Sequence, residues 1–179
     1  QDCRALIDAP IGTPASEYIP FADKCGYQQL SDTSPIPSAS MFGPWAYMQV
    51  GNTQEWMPPS YAFLQVVGSE LSSGGYTYTP KAGIINGTVP NIIKTEWQVG
   101  SATSEAWQRD DGVGINPIMR LQGGSYIIAG NATLLQPDLN GEEDNAFLES
   151  SADLAVIDIR RFIYNLGTEL QYMYNSRDA

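Results

Sequence analysis

The stretch GVGINPIMRLQGGSYIIAGNATLL, Gly112 to Leu135, contains two apolar runs that are separated and flanked by glycines. Apolar runs bounded by Gly, Pro and Asn are typical of strands joined by turns. The stretch therefore predicts two strands joined by a turn at Gly123-Gly124. The Asn116-Pro117 step is predicted to set the entry to the first strand.

The same glycines do not fit a phosphate-binding loop. Arg120 is the only charged residue of the stretch, and the preceding Asp110 and Asp111 would repel phosphate. The Lys-Ser/Thr ending of a P-loop and the G-x-G-x-x-G spacing of a dinucleotide site are both absent. A helix end followed by a strand is the prediction here.

Charge and composition bound the possible functions. The chain has 179 residues, enough for one substantial core, and 42% of them are hydrophobic. With 20 acidic and nine basic residues its net charge is −11, which disfavours nucleic-acid binding and favours a cationic partner surface or none. No apolar run approaches the ~20 residues that span a bilayer, so membrane embedding is not expected.

The sequence offers little for catalysis or metal binding. There is no histidine, so a Ser-His or Cys-His system is impossible, and the commonest metal ligand is missing. Asp8 follows an apolar run and is predicted to cap the next loop rather than to catalyse. Cys3 and Cys25 are predicted to be reduced thiols. We expect no catalytic, cofactor-binding or metal-binding residues.

The remaining patterns predict alternating strands and helices. Strands are predicted at 4–10 and 89–99, helices at 18–25 and from Ser101, and a hairpin around Gly51-Asn52. Ser60 is predicted to be the N-cap of a helix that buries Leu64, Val67 and Leu71.

The C-terminal third predicts an acidic surface loop at 137–151 and then a long helix, Asp153 to Asn175, capped by Ser151. Its apolar residues recur at a 3–4 spacing, which predicts one buried face. These residues are Val156, Ile159, Ile163, Leu166, Leu170 and Met173.

Together these elements predict an α/β (mixed α+β) fold, with a mixed sheet flanked by helices and the long C-terminal helix docked on the sheet. We expect two segments that share one core. Residues 1–112 form an α/β segment, and residues 113–179 contain the strand pair, the acidic loop and the long helix.

Two motifs carry a resemblance to a known family. GINPI…GG…YIIAGNATL followed by DIRRFIYNLGTEL resembles the tail sheath proteins of contractile-tailed bacteriophages. DIRRF, 158–162, matches the start of a family helix. The first motif is in register without a gap at Gly114, Ile115, Asn116, Ile118, Gly123, Gly130, Thr133 and Leu134.

Upstream pieces, CRALIDAP, MFGPWAYM and WMPPSYAFLQVV, are similar to family segments in the same order, so the resemblance covers most of the chain. Several positions depart from the family pattern, so contacts made by the family's residues there are not carried over. The departures are Met119, the turn at 122–125, Ala129, Ala132 and Tyr61.

The resemblance implies a structural virion protein. Such a protein forms homo-oligomeric stacked rings or a helix around the tail tube protein, and it contracts to drive the tube through the host envelope. It implies a phage-tail location after assembly in the host cytoplasm, no active site, and terminal arms that are missing from this chain. A sheath of a phage-derived injection system fits the same residues.

Arg160, Arg161 and Arg177 are the candidate site residues. From the sequence alone, Arg160 and Arg161 are surface arginines in weak salt bridges. The resemblance adds the expectation that Arg160, Arg161 or Arg177 contacts an acidic tube or a neighbouring subunit.

Two other classes remain open. A carbohydrate- or receptor-binding domain predicts exposed aromatic side chains, whereas the sheath interpretation predicts that Trp45, Trp56 and Trp97 are buried. A histidine-free hydrolase using carboxylates predicts a deep cleft with two close Asp or Glu residues.

Overall fold

The structure is a computed structural model that describes residues 4–26, 39–76, 79–108, 114–134 and 150–175. The strands in these ranges are β1 (Ala5–Asp8), β2 (Ala39–Gly43), β3 (Ala46–Val50), β4 (Thr53–Met57), β5 (Thr88–Val89), β6 (Ile92–Thr95), β7 (Ile115–Arg120) and β8 (Tyr126–Ile128). The helices are α1 (Ala15–Gly26), α2 (Pro59–Ser72), α3 (Gly83–Asn86), α4 (Ser101–Gln108) and α5 (Ser150–Asn175).

A five-stranded mixed sheet organises the molecule, in the order β1-β2-β7-β8-β5. The β1–β2 and β2–β7 pairs are parallel, and the pairs that β8 makes with β7 and β5 are antiparallel. The mixed α/β class predicted from the sequence is confirmed. The sheet takes β1, β2 and β5 from before residue 112 and β7 and β8 from after it.

The strand pair predicted from the opening stretch is confirmed as β7 and β8, with Gly124 at φ 87° in the turn. One detail of that prediction is wrong. Asn116-Pro117 lies inside β7, where Pro117 is aligned with Gly43 of β2. Pro117 has no N–H to donate, but its carbonyl oxygen still accepts a hydrogen bond from the Ala129 N–H at 2.8 Å.

A second, three-stranded antiparallel sheet has the order β4-β3-β6. The predicted hairpin is confirmed, with Gly51 at φ 59° in the two-residue turn between β3 and β4. The single strand predicted over 89–99 is wrong, because it divides into β5 and β6, which belong to different sheets. Pro90 and Asn91, the latter at φ 65°, form the turn that separates them.

The five-stranded sheet has a hydrophobic core on each face. One core joins Phe42 of β2 to Phe63 of α2, with ring centroids 4.7 Å apart, and to Met48 of the second sheet. The other joins Met41 and Ile115 to α1 and α4. Because β2 is buried along its whole length, it lies between two layers, as a parallel strand commonly does.

The buried face of α2 differs from the predicted one. Leu64 and Leu71 are 52% and 48% exposed, and Val67 is half-buried. The residues that pack on the sheets are Pro59, Ala62, Phe63 and Val66, also at helical spacing. The helix has two apolar stripes, and the sheets accept the one containing the aromatic ring.

Helix α5 is present, but it begins at Ser150, so Ser151 lies inside the helix and is not its N-cap. The predicted burial of its apolar face is wrong beyond Val156, which is half-buried. Ile157 is buried at 4% exposure, whereas Ile159, Ile163 and Leu166 are 58%, 60% and 44% exposed. The side chains described on the helix are therefore covered only in its first turns, and those of residues 159–166 are exposed. The side chains of Leu170 and Met173 and the acidic segment before the helix lie outside the described residues.

Candidate functional site

The Asn116 side chain is the hydrogen-bonding centre of the opening stretch. It is 1% exposed, and its amide nitrogen donates to the Met41 carbonyl at 3.1 Å and to the Ala132 carbonyl at 2.9 Å. Its amide oxygen accepts the Ala132 N–H at 2.7 Å. One side chain therefore joins β2, β7 and the segment that follows β8.

Two glycines make room for this arrangement. Gly114 has φ 65°, and a Cβ there would collide with the Thr133 carbonyl oxygen. A Cβ at Gly130 would lie 2.7 Å from the amide oxygen of Asn116. Asn116, Gly114 and Gly130 thus serve to hold backbone segments together.

Asp8 caps a helix that is distant in sequence. Its carboxylate accepts the Ser60 N–H at 2.8 Å and the Ser60 hydroxyl at 2.5 Å, in the first turn of α2. The predictions for both residues need correction, because Ser60 is not the N-cap, a position occupied by Pro58, and Asp8 does not cap its own following loop. Burial raises the pKa of Asp8, and the two Ser60 hydrogen bonds oppose this rise.

Lys81 also has a structural role. It is 2% exposed, and its ammonium donates to the Tyr76 carbonyl at 2.8 Å and pairs with Glu70 at 2.9 Å. This hydrogen-bonded pair lowers the pKa of Glu70. The ion pair anchors the loop after α2 to the end of that helix.

An aromatic cluster joins α1 and α4 to the chain that leads out of β6. The fully buried Tyr18 ring stacks on Trp107 at 4.8 Å and meets the edge of Trp97 at 5.6 Å. The Trp97 indole donates to the Thr13 carbonyl at 3.3 Å. Burial, followed by the nearby Glu96 and Asp8 charges, raises the pKa of Tyr18.

The tryptophans only partly follow the predicted burial. Trp45 and Trp97 are half-buried, and the Trp45 indole donates to the Ala9 carbonyl at 2.7 Å. Trp56 is 36% exposed, because it lies on the outer face of the three-stranded sheet. The fully buried tryptophan is Trp107.

Trp56 belongs to a surface cluster that we call the aromatic platform, formed by Tyr47, Trp56 and Lys94. The two rings are 5.3 Å apart and tilted by 58°, and the Lys94 ammonium lies 5.3 Å from the Tyr47 centroid and 5.6 Å from that of Trp56. Sequence reasoning missed this cluster. A two-residue turn at Gly51-Asn52 places Tyr47 opposite Trp56, so the pairing of these two aromatic residues could have been predicted from the sequence.

The predicted site residues of α5 are only partly described. Arg160 and Arg161 are both exposed on the helix, and Arg177 lies outside the described residues. Arg160 and Arg161 are accompanied by exposed apolar side chains, and together they form what we call the α5 surface. The apolar members are Ile159 (58% exposed), Phe162 (67%), Ile163 (60%), Tyr164 (71%) and Leu166 (44%).

The described ranges contain no group of three or more His, Cys, Asp or Glu side chains placed to hold a metal ion. Within the same ranges, no helix has both the length and the apolar character needed to cross a membrane.

Comparison with known proteins gives the class of fold. No family model matches the chain, and no curated protein is similar to it in sequence. Solved structures do match. A chain of the sheath complex of an extracellular contractile injection system (PVC), in the contracted state, is 17% identical with a TM-score of 0.61, over 92% of this chain and 40% of that one.

A chain of the contracted baseplate of the anti-feeding prophage gives a TM-score of 0.63 at 17% identity, over 93% of this chain and 39% of that one. A chain of the contracted helical sheath of the same prophage gives 0.51 at 16% identity, over 88% and 46% respectively. The chain thus shares its fold with proteins of contractile sheath assemblies. It spans less than half the length of the solved chains it matches.

Proposed function

We propose that this chain is a structural subunit of a contractile sheath. The observation that carries the proposal is the shared fold, which extends over about nine-tenths of the chain in structures of a contracted sheath complex and a contracted helical sheath. The order of the resembling motifs along the sequence supports the same conclusion independently. We infer a role in assembly and contraction, without catalysis.

The use of polar groups supports a structural role. Three buried or half-buried polar side chains are hydrogen-bonded or ion-paired within this chain. They are Asn116, Asp8 and Lys81. Such groups rigidify a fold rather than bind a substrate. A rigid subunit is what a sheath needs, because its work is done at the contacts between subunits.

The α5 surface is the proposed contact with the tube or with a neighbouring subunit, through Arg160, Arg161 and Arg177. Its exposed apolar side chains form a patch of a kind that marks protein interaction sites. The two described arginines add positive charge to a chain of net charge −11, so they would attract an acidic surface.

The proposed mechanism is that of the sheath family. Copies stack as rings or a helix around a tail tube, and their rearrangement from an extended to a contracted state drives the tube through an envelope. Weak contacts repeated over many copies hold such an assembly and can break together. The proposal covers a phage tail, where the protein would be part of the virion, and an extracellular injection system.

Electron microscopy tests this proposal. The product of the complete gene, purified and concentrated, is expected to form rings or tubes, and co-expression with its tube protein should give sheathed tubes. A product that remains dispersed at every concentration, with and without the tube protein, would sink the sheath proposal.

A further inference from the structure

The aromatic platform is an exposed surface that the fold does not need to bury. Tyr47, Trp56 and Lys94 come from three adjacent strands, β3, β4 and β6, and lie side by side on the outer face of the small sheet. Trp56 is 36% exposed although it is one of the largest apolar side chains of the protein. In the part of the chain that the structure describes, no carboxylate lies within ion-pair distance of Lys94.

The geometry of the aromatic platform indicates which kind of chemical group can bind to it. A sugar ring stacks best on an open, flat aromatic face, but here the two rings are tilted by 58° and the Lys94 ammonium lies over both. The cation–π contacts hold a positive charge at the centre of an apolar patch. Such a patch fits a carboxylate flanked by apolar groups, which is the chemistry of an acidic protein surface.

We propose that the aromatic platform is a contact surface for a second copy of this chain. The proposal rests on the proposed function, in which copies of the chain assemble. Charge complementarity favours this partner, because the chain has 20 acidic and nine basic residues, so a second copy carries a net charge of −11 and offers many carboxylates. Tryptophan and tyrosine are also the side chains that most often dominate the energy of protein contacts.

The platform is small, so it acts as one contact among several in an assembly. Its contribution is therefore measured by the critical concentration for assembly of the complete gene product, determined by sedimentation over a series of NaCl concentrations. Trp56→Ala is expected to raise the critical concentration about tenfold or more. Lys94→Glu should raise it comparably and weaken its dependence on salt, whereas Lys94→Arg should behave like the wild type.

Leu64→Ser is the matched control, because Leu64 is an exposed apolar side chain on α2 and not on the small sheet that carries the platform. It should assemble as the wild type does. Circular dichroism establishes that each variant is folded. Because Lys94 is exposed, Lys94→Glu remains informative even if Trp56→Ala unfolds the small sheet.

The outcomes separate this inference from the proposed function. Tubes that form equally well with Trp56→Ala and Lys94→Glu overturn the platform contact and leave the sheath proposal standing. If copies associate through the platform but never form tubes or rings, the platform contact stands and the sheath proposal is overturned. A wild-type protein that never associates overturns both. Tryptophan fluorescence that a neutral oligosaccharide quenches in the wild type but not in Trp56→Ala, with no effect of either platform variant on association, overturns the platform contact alone.

Discussion

Asn116 and its neighbours illustrate what individual residues contribute to this fold. The Asn116 amide makes three hydrogen bonds that bring together segments far apart in the sequence, and Gly114 and Gly130 leave the space for them. Asp8 plays a similar part at the start of α2. Both side chains therefore hold together segments that are distant in the sequence.

Asn116→Ala is expected to lower the free energy of unfolding by about 2–4 kcal/mol, because it removes three bonds and leaves buried backbone groups unpaired. Chemical denaturation measures the change. Gln54→Ala, which removes an exposed amide on β4, is the control and should change stability by about 0.5 kcal/mol or less. Equal effects of the two substitutions would contradict the role given to Asn116.

Gly114→Ala and Gly12→Ala form a matched pair, since both glycines have positive φ, 65° and 88°. Gly12 has open space around it, so alanine there should cost about 1–2 kcal/mol from backbone strain alone. At Gly114 the new methyl group also meets the Thr133 carbonyl, and the loss should be about 3 kcal/mol or more. Urea unfolding of both variants checks the difference.

The raised pKa of Asp8 predicts the direction in which the stability of the protein changes with pH. Because its pKa in the folded protein is raised above the ordinary 3.8, the folded state favours the protonated form. The stability of the wild type relative to Asp8→Asn should be greatest below pH 3.8. It should fall as pH rises through the raised pKa and then become constant. Urea unfolding between pH 3 and 7 measures this difference, and a difference that grows with pH would contradict the direction.

At the scale of elements, the two amphipathic helices show that apolar spacing can predict a helix correctly without predicting which of its side chains are buried. Both α2 and α5 were predicted from their apolar spacing, and both exist. In α2 the sheets cover the stripe with Phe63 rather than the one with Leu64, and in α5 the stripe with Ile159 and Ile163 is exposed among the described residues. Periodicity establishes that a helix has an apolar face, but it does not name the surface that meets it.

Helix α5 therefore predicts opposite outcomes for two isoleucines. Ile157→Ala should cost about 2–4 kcal/mol, because the Ile157 side chain is only 4% exposed. Ile163→Ala should change the stability of the isolated chain by about 0.5 kcal/mol or less, because Ile163 is 60% exposed. Thermal or chemical unfolding of the isolated chain distinguishes them. A large loss at Ile163 would mean that the helix docks along its whole length.

At the scale of the whole molecule, the five-stranded sheet is the central element. It contains strands from both sides of residue 112, and the fold it defines is shared with chains of a contracted sheath complex and a contracted helical sheath. Contacts with other molecules are proposed at two exposed surfaces, the α5 surface and the aromatic platform.

The double substitution Arg160→Glu, Arg161→Glu tests the α5 surface at this scale. It should weaken co-sedimentation with tail tubes while moving the melting temperature by only about 2 °C, because exposed ion pairs contribute little to stability. Arg120→Glu, at the exposed end of β7, is the control for charge. Undiminished attachment of the double variant would remove these arginines from the proposed tube contact, and loss of folding would show that they are structural.

The sequence by itself determined the elements that depend on local patterns. The β7–β8 pair, the hairpin at Gly51-Asn52, helix α2 and helix α5 follow from apolar spacing and turn residues, whose conformational preferences act over a few residues. Tertiary structure alone decided the partners. The Asp8 cap on α2, the Asn116 bonds, the cation over the platform rings and the exposed stripe of α5 join or separate residues that lie far apart in the chain. Such contacts depend on which surfaces meet in space, and local preferences carry no information about that.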